Sequence, residues 1–193
     1  MVKEKVKLIL IVDASSSMIM TTQETVDAVE GVIEQHRALK DKKVRVQIYS
    51  FGAEVNEIVP TMKLKDYDKE FTKVYNPYGM TALYDAIGAA VTTNMEDASF
   101  SKTSLIVMTD GEENASQKFG KESVAKLLTK VQDELGWDVS YIGANIANFN
   151  EKSMQLGFKL SKSIAIDPSK SGTRGMSLQT ASAMSMSYMN SQG

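Results

Sequence analysis

A three-layer α/β/α fold around a doubly wound, mostly parallel sheet follows from three features of the sequence. First, residues 8–12 form an apolar run, Leu-Ile-Leu-Ile-Val, without polar alternation, and residues 105–108, Leu-Ile-Val-Met, form a second. A strand buried on both faces needs such a run, and that burial occurs mainly where helices cover a parallel sheet. Second, amphipathic helical patterns separate the strand candidates, which is the alternation that builds these layers. Third, Gly52-Ala53 joins two β patterns too tightly for a crossover, so one short antiparallel edge strand is expected there.

The first strand ends in Asp13, and Ser15 and Ser17 follow at alternate positions. A loop curling over the sheet edge can converge one carboxylate and two hydroxyls on one point, a set suited to a hard cation such as Mg2+. The same residues can instead be a polar loop that caps the next helix, since Asp and Ser are preferred capping residues. Thr21 and Glu24 then stand at capping-box spacing, and Val26, Val29 and Ile33 recur at helical spacing up to about Leu39. His36, the single histidine, falls on or near that stripe. Lacking a second His or a Cys, it reads as a helix-face residue rather than a ligand.

Residues 40–43, Lys-Asp-Lys-Lys, read as a solvated turn. Val44, Val46 and Ile48 alternate with Arg45, Gln47 and Tyr49, which predicts a half-exposed strand, and residues 54–59 alternate weakly before Pro60. Residues 62–78 are polar and aromatic. They predict a short helix or irregular connection to the Pro77-Tyr78-Gly79 turn, whose task is to set Thr81. From Ala82, a helical face of Leu83, Ile87, Ala90 and Val91 follows, with small Gly88, Ala89 and Ala90 permitting close packing on the sheet. Asp85 reads as a first-turn carboxylate favoured by the helix dipole, with support of Thr81 as its alternative role.

Residues 104–109 deliver Asp110 at the end of the second apolar strand. Glu112 and Glu113 read as exposed acids rather than ligands, because further carboxylates would over-neutralise a cation and close its open position. Residues 121–135 predict an amphipathic helix with Val124, Leu127, Leu128 and Val131 inward. A strand at 137–143, a short helix at 149–156 and a last strand at 162–167 complete the alternation. Residues 168–175 read as a linker rich in Ser, Lys and Gly, and residues 176–189 as a final helix whose methionines fill core space. In an open sheet of this kind, loops distant in sequence meet outside the carboxyl ends of the strands, and ligands bind there.

In their order and spacing, Asp13-x-Ser15-x-Ser17, Thr81 after a glycine turn, and a strand ending in Thr109-Asp110-Gly111 resemble the metal-ion-dependent adhesion site (MIDAS) of the von Willebrand factor type A domain family. The resemblance covers nearly the whole chain, so it implies a single type A domain over residues 1–193 with a Rossmann-like fold. Residues 109–114 and Gly143-Ala144-Asn145-Ile146 are similar to the small, free-standing, intracellular type A proteins of bacteria and phages. The resemblance implies Asp13, Ser15, Ser17, Thr81 and Asp110 as metal ligands and bound Mg2+, with Mn2+ or Ca2+ as alternatives. It further implies a protein partner whose Asp or Glu takes the open coordination position, and a binding rather than an enzymatic role. In some type A domains site occupancy is coupled to displacement of the last helix, and Gly172 and Gly175 precede that helix here as hinge candidates.

Composition narrows the classes. At 193 residues, with 42% hydrophobic and 24% charged, the chain has the size and balance of one ordinary globular domain. Its 22 basic and 24 acidic residues leave a formal charge of -2, which gives no electrostatic reason to expect nucleic acid or an anionic membrane as partner. Zero cysteines remove disulfides and thiolate zinc sites and fit a reducing compartment. The apolar stretch behind basic residues 1–7 is too short for a signal core or a membrane span, so a cytoplasmic location is expected. No internal repeat and no phosphate-binding glycine motif is present. The rival class is a metal-dependent phosphoryl-transfer enzyme or hydrolase on the same sheet. An aspartyl-nucleophile phosphatase would carry a second acid two residues after Asp13, where Ser15 stands, and the chain offers no plausible Ser-His-Asp set.

Overall fold

The computed structural model describes residues 3–144 and 147–166. The expectations for Asn145, Ile146, Asp167, the linker at 168–175 and the hinged helix at 176–189 lie outside them.

Six strands form one sheet: β1 (Lys5–Asp13), β2 (Lys43–Phe51), β3 (Val55–Lys63), β4 (Lys102–Thr109), β5 (Asp138–Ala144) and β6 (Ser163–Ile166). Their order is β3-β2-β1-β4-β5-β6, and every pairing is parallel except β2 with β3. From β1 the chain winds outward through β2 and β3, then returns to the other side of β1 for β4. The winding therefore reverses between β1 and β4, and the crevice at their carboxyl ends is the topological switch point.

The apolar run of β1 explains its central place. Val6, Leu8, Leu10 and Val12 face one layer while Ile9 and Ile11 face the other, and all six are fully buried. The first layer holds α1 (Thr22–Arg37) and α2 (Glu70–Val74). The second holds α3 (Leu83–Asn94), α4 (Lys121–Asp133) and the start of α5 (Phe149–Gln155). In α4, Val124, Leu128 and Val131 are buried and Leu127 packs at the edge of the same cluster, as the helical period predicts. His36 is wholly buried on α1, with Nδ1 2.7 Å from the Val32 carbonyl oxygen, and burial pushes its pKa down. No helix of the described residues is long and apolar enough to cross a membrane.

Four local expectations are corrected. β2 is buried along most of its length rather than half-exposed, because β1 and β3 flank it and both faces are covered. Its polar Gln47 is held there through Nε2, which donates to the Tyr49 hydroxyl (2.9 Å) and to Glu57 Oε1 (2.5 Å), while its Oε1 is buried without a partner. β3 is not short: it runs past Pro60 to Lys63, which an edge strand permits since a missing N–H costs nothing on the open side. Thr21 and Glu24 form no capping box. A 3-10 turn over Ser16–Thr21 precedes α1, and it turns the Thr21 hydroxyl back to donate to the Met18 carbonyl (3.3 Å). Finally, Gly88 gives room not to the sheet but to Phe119, whose ring would lie 2.3 Å from a Cβ at that position.

Candidate metal centre

The switch point gathers all five residues of the oxygen pattern. Asp13 ends β1, and Ser15 and Ser17 lie in the turn beyond it. Asp110 follows β4, and Thr81 stands just before α3. Asp13 and Ser15 are buried, with Thr81 4% and Asp110 7% exposed, whereas Ser17 faces solvent. Ser15 Oγ and Ser17 Oγ are 2.9 Å apart, and the Ser17 hydroxyl donates to Asp110 Oδ1 at 2.6 Å. A Cβ added to Gly111 would sit 3.4 Å from Thr81 Oγ1, 3.7 Å from Ser17 Oγ and 3.8 Å from Asp13 Oδ2. Glycine thus leaves open a space that these side chains surround. Among the described residues no group of three or more His, Cys, Asp or Glu could hold a metal ion. The donors here are two carboxylates and three hydroxyls, an all-oxygen set that fits a hard divalent cation.

The loops that present these oxygens are tied to one another. The Ser16 N–H donates to the Gly79 carbonyl (3.0 Å), the Gly79 N–H to Ser16 Oγ (2.9 Å), and the Tyr78 N–H to the Ala14 carbonyl (2.7 Å). Gly79 has φ +85, a backbone state open to glycine at little cost, so its place in the turn before Thr81 is set by conformation. The Tyr75 hydroxyl donates to the Asp13 carbonyl at 2.6 Å and anchors the same turn to β1.

Three residues that hold the donors in place escaped the sequence reading. The Thr109 hydroxyl donates to Asp13 Oδ2 at 2.6 Å while the Ser15 N–H donates to Oδ1 at 2.7 Å, so both carboxylate oxygens are oriented. Asn114 Oδ1 accepts the Thr81 N–H at 2.8 Å, and the Thr81 carbonyl accepts from Asn114 N–H at 3.0 Å. Glu113 is not an idle exposed acid. Its carboxylate accepts from the backbone N–H groups of Tyr84, Ala115 and Ser116 and from the Ser116 hydroxyl, capping α3 from a distant loop. Glu112 is exposed as expected and pairs with Lys152 of α5. The adjacency of Thr109 to Asp110 was the one signal available for these roles; Glu113 and Asn114 depend on contacts across some thirty residues.

Asp85 supports Thr81 indirectly. Its carboxylate accepts the N–H groups of Gln117 (3.0 Å), Lys118 (2.9 Å) and Phe119 (2.8 Å), binding the loop after Asp110 to the first turn of α3. Burial raises its pKa, but these three donors outweigh that and hold the carboxyl below its ordinary value. Asp13 is shifted the other way. Burial is the largest cause and raises its pKa, the Thr109 and Ser15 hydrogen bonds oppose it, and the nearby Asp110 charge adds to the rise.

Thr109→Val keeps the shape of the side chain and deletes the donor on Asp13. We expect divalent-cation affinity to fall roughly 10–100-fold with the fold intact. Calorimetric titration of Mn2+ into both proteins measures it, and equal affinities would remove Thr109 from the site.

The fold and this arrangement define a doubly wound α/β domain with an oxygen-lined crevice at its switch point. The chain belongs to the von Willebrand factor type A domain family, whose model matches residues 7–173. Solved structures share the fold at low identity. The vWF domain of the type V pili tip protein Mfa5 from Porphyromonas gingivalis is 10% identical with a TM-score of 0.69, over 100% of this chain and 99% of that one. The SpRpn10 VWA domain is 12% identical with a TM-score of 0.65, over 93% and 95%. Proximal thread matrix protein 1 from the mussel byssus, in a structure with a zinc-occupied MIDAS motif, is 16% identical with a TM-score of 0.69. That match covers 95% of this chain but only 46% of the mussel chain, so this chain spans less than half the length of that relative. A search of curated proteins found no match.

Proposed function

We propose that the chain is a divalent-metal-dependent protein-interaction module, in which Asp13, Ser15, Ser17, Thr81 and Asp110 hold Mg2+ and a partner's Asp or Glu completes the coordination. The observation that carries this is the convergence of these side chains around the space kept open by Gly111. Type A domains act as metal-dependent protein-binding modules, and the mussel protein has been solved with its MIDAS motif occupied by zinc. Five protein oxygens leave one position of an octahedral ion open, and an external carboxylate is an oxygen ligand that can fill it. We extend the reading to a cytoplasmic protein of bacterial or phage origin, on the absence of cysteine and the similarity of residues 109–114 to type A proteins of bacteria and phages.

The surroundings of the site narrow the partner. Ile19 and Met20 are 54% and 88% exposed on the turn that carries Ser17, and Tyr78 and Met80 are 66% and 52% exposed beside Thr81. Because Ser16 and Gly79 join the two turns, these four side chains form one apolar rim at the crevice. Exposed apolar groups concentrated at one place mark an interaction surface, so the expected partner presents its acid flanked by apolar residues.

The test is affinity capture from host lysate in magnesium and in chelator. The wild type retains a partner in magnesium only, Asp13→Ala retains none, and Met20→Ser/Tyr78→Ser loses about tenfold or more in retention while its Mg2+ affinity is unchanged. Retention that ignores metal sinks the proposal. Against the phosphoryl-transfer reading stands Ser15, at the position where an aspartyl-nucleophile phosphatase carries its second acid. Turnover of a generic phosphate ester that Asp13→Asn abolishes would reinstate it.

A further inference from the structure

At the opposite end of the sheet, a groove of about 730 Å3 opens beside the amino ends of β1 and β2. Lys5 and Asp13 bound β1, so the groove and the metal centre stand roughly 26 Å apart along one strand. Among the described residues seven lysines and two arginines line the groove, and no carboxylate does. These nine are drawn from a chain with 22 basic residues and a net charge of -2, so the asymmetry is local and strong.

Register explains how residues far apart in sequence meet there. Lys5 pairs with Lys43 across β1 and β2, and Arg45 pairs with Lys63 across β2 and the antiparallel β3. Arg37 ends α1 and Lys40 follows it, closing the side of the groove. Acids outside the lining reach three of the cations: Glu4 and Asp41 reach Lys42 at 2.7 and 3.6 Å, Glu34 reaches Arg37 at 3.1 Å, and Asp66 reaches Lys65 at 3.9 Å. Among the described residues no carboxylate lies within 4.0 Å of Lys5, Lys40, Lys43, Arg45 or Lys63. Like charges held in one concavity repel one another, and the same field concentrates anions.

We propose that this groove is a binding site for a small molecule bearing several phosphates. Its volume falls within the range of small-molecule sites, about 300–1,000 Å3. Lysine ammonium groups bind phosphate oxygens as point charges, and the two arginines add planar donors. Among the described residues no phenylalanine, tyrosine or tryptophan lines the groove, so these residues offer no stacking platform of the kind by which single strands of nucleic acid are held.

Calorimetric titration of inorganic tripolyphosphate and of ATP into the protein tests the site. It is run in chelator, so that no phosphate is held through a cation at the metal centre. Saturable binding is expected, weakening about tenfold or more from low to physiological ionic strength. Lys43 and Lys63 are exposed, so Lys43→Glu/Lys63→Glu leaves the core alone and lowers affinity about 100-fold, whereas Lys43→Arg/Lys63→Arg stays within about threefold. ATP binding more tightly than tripolyphosphate assigns the site to a nucleotide; equal binding assigns it to free polyphosphate, and both support it. Absence of saturable binding, indifference to the Glu pair, or tighter binding of single-stranded DNA than of tripolyphosphate overturns it.

Discussion

Asp13→Asn is expected to abolish the response to divalent cations while leaving a folded protein. In the wild type, Mg2+ or Mn2+ at millimolar concentration raises the thermal midpoint, because a ligand that binds only the native state stabilises it by mass action. Asparagine keeps the size of the side chain and one oxygen to accept from Thr109 or from the Ser15 N–H, which hold the carboxylate at 2.6 and 2.7 Å. What it removes is the charge, and with it the anionic oxygen proposed to orient the cation against three hydroxyls. We expect Mn2+ affinity to drop about 100-fold or more, since even residues that only orient a metal ligand are worth roughly 10–100-fold. A variant that binds Mn2+ as tightly as the wild type would place the cation elsewhere.

The same substitution separates metal binding from a charge effect on folding. The Asp13 carboxyl has a raised pKa, so between its unfolded and folded values the native state holds a proton that the unfolded chain releases. In metal-free buffer, stability therefore falls as pH rises through the window that starts at the ordinary carboxylate value of 3.8 and extends upward. Asp13→Asn has no such proton and loses that part of the slope. With saturating Mg2+ the wild type recovers at neutral pH, because the cation compensates the buried charge, and the variant does not. Thermal midpoints against pH, with and without Mg2+, resolve both effects; parallel profiles for the two proteins would deny Asp13 this role.

The parts of the molecule legible in the sequence are those written in one segment. The runs at residues 8–12 and 105–108 identify β1 and β4 because burial on both faces removes polar alternation, and the carboxyl-end rule then brings Asp13 and Asp110 together. β2 was harder. Its alternation mimics a half-exposed strand, yet Gln47 is 3% exposed, since its amide nitrogen finds partners in Tyr49 and Glu57 on a covered face. Polarity alone cannot tell a solvated position from a buried one whose donor is paired. Glu113 looked like an exposed loop acid, and Asn114 carried no role of its own, because their partners, Tyr84 and Thr81, lie some thirty residues away. The basic groove was hidden for a related reason: residues 40–43 read alone as a solvated turn, and only strand register adds Lys5, Arg45 and Lys63 to them.

Gly88→Ala is expected to be among the most destabilising single-methyl changes in the protein. The added Cβ would lie 2.3 Å from Phe119 Cγ and 2.5 Å from both Cδ atoms, well inside van der Waals contact. Gly88 is buried mid-helix in α3, and Phe119 is held by its own backbone N–H to Asp85, so neither side yields freely. Alanine's better helix propensity offsets at most about 1 kcal/mol. Overpacking of this kind costs about 1–3 kcal/mol, or about 2–4 °C in thermal midpoint for each kcal/mol in a chain of this size. The displaced loop carries Glu113 and Asn114, which cap α3 and hold Thr81, so Mn2+ affinity should fall with stability. Phe119→Leu removes the ring atoms in the way, and Gly88→Ala/Phe119→Leu should lose less than the sum of the two single changes. Strict additivity in thermal midpoint and metal affinity would mean that Gly88 and Phe119 do not couple α3 to the site.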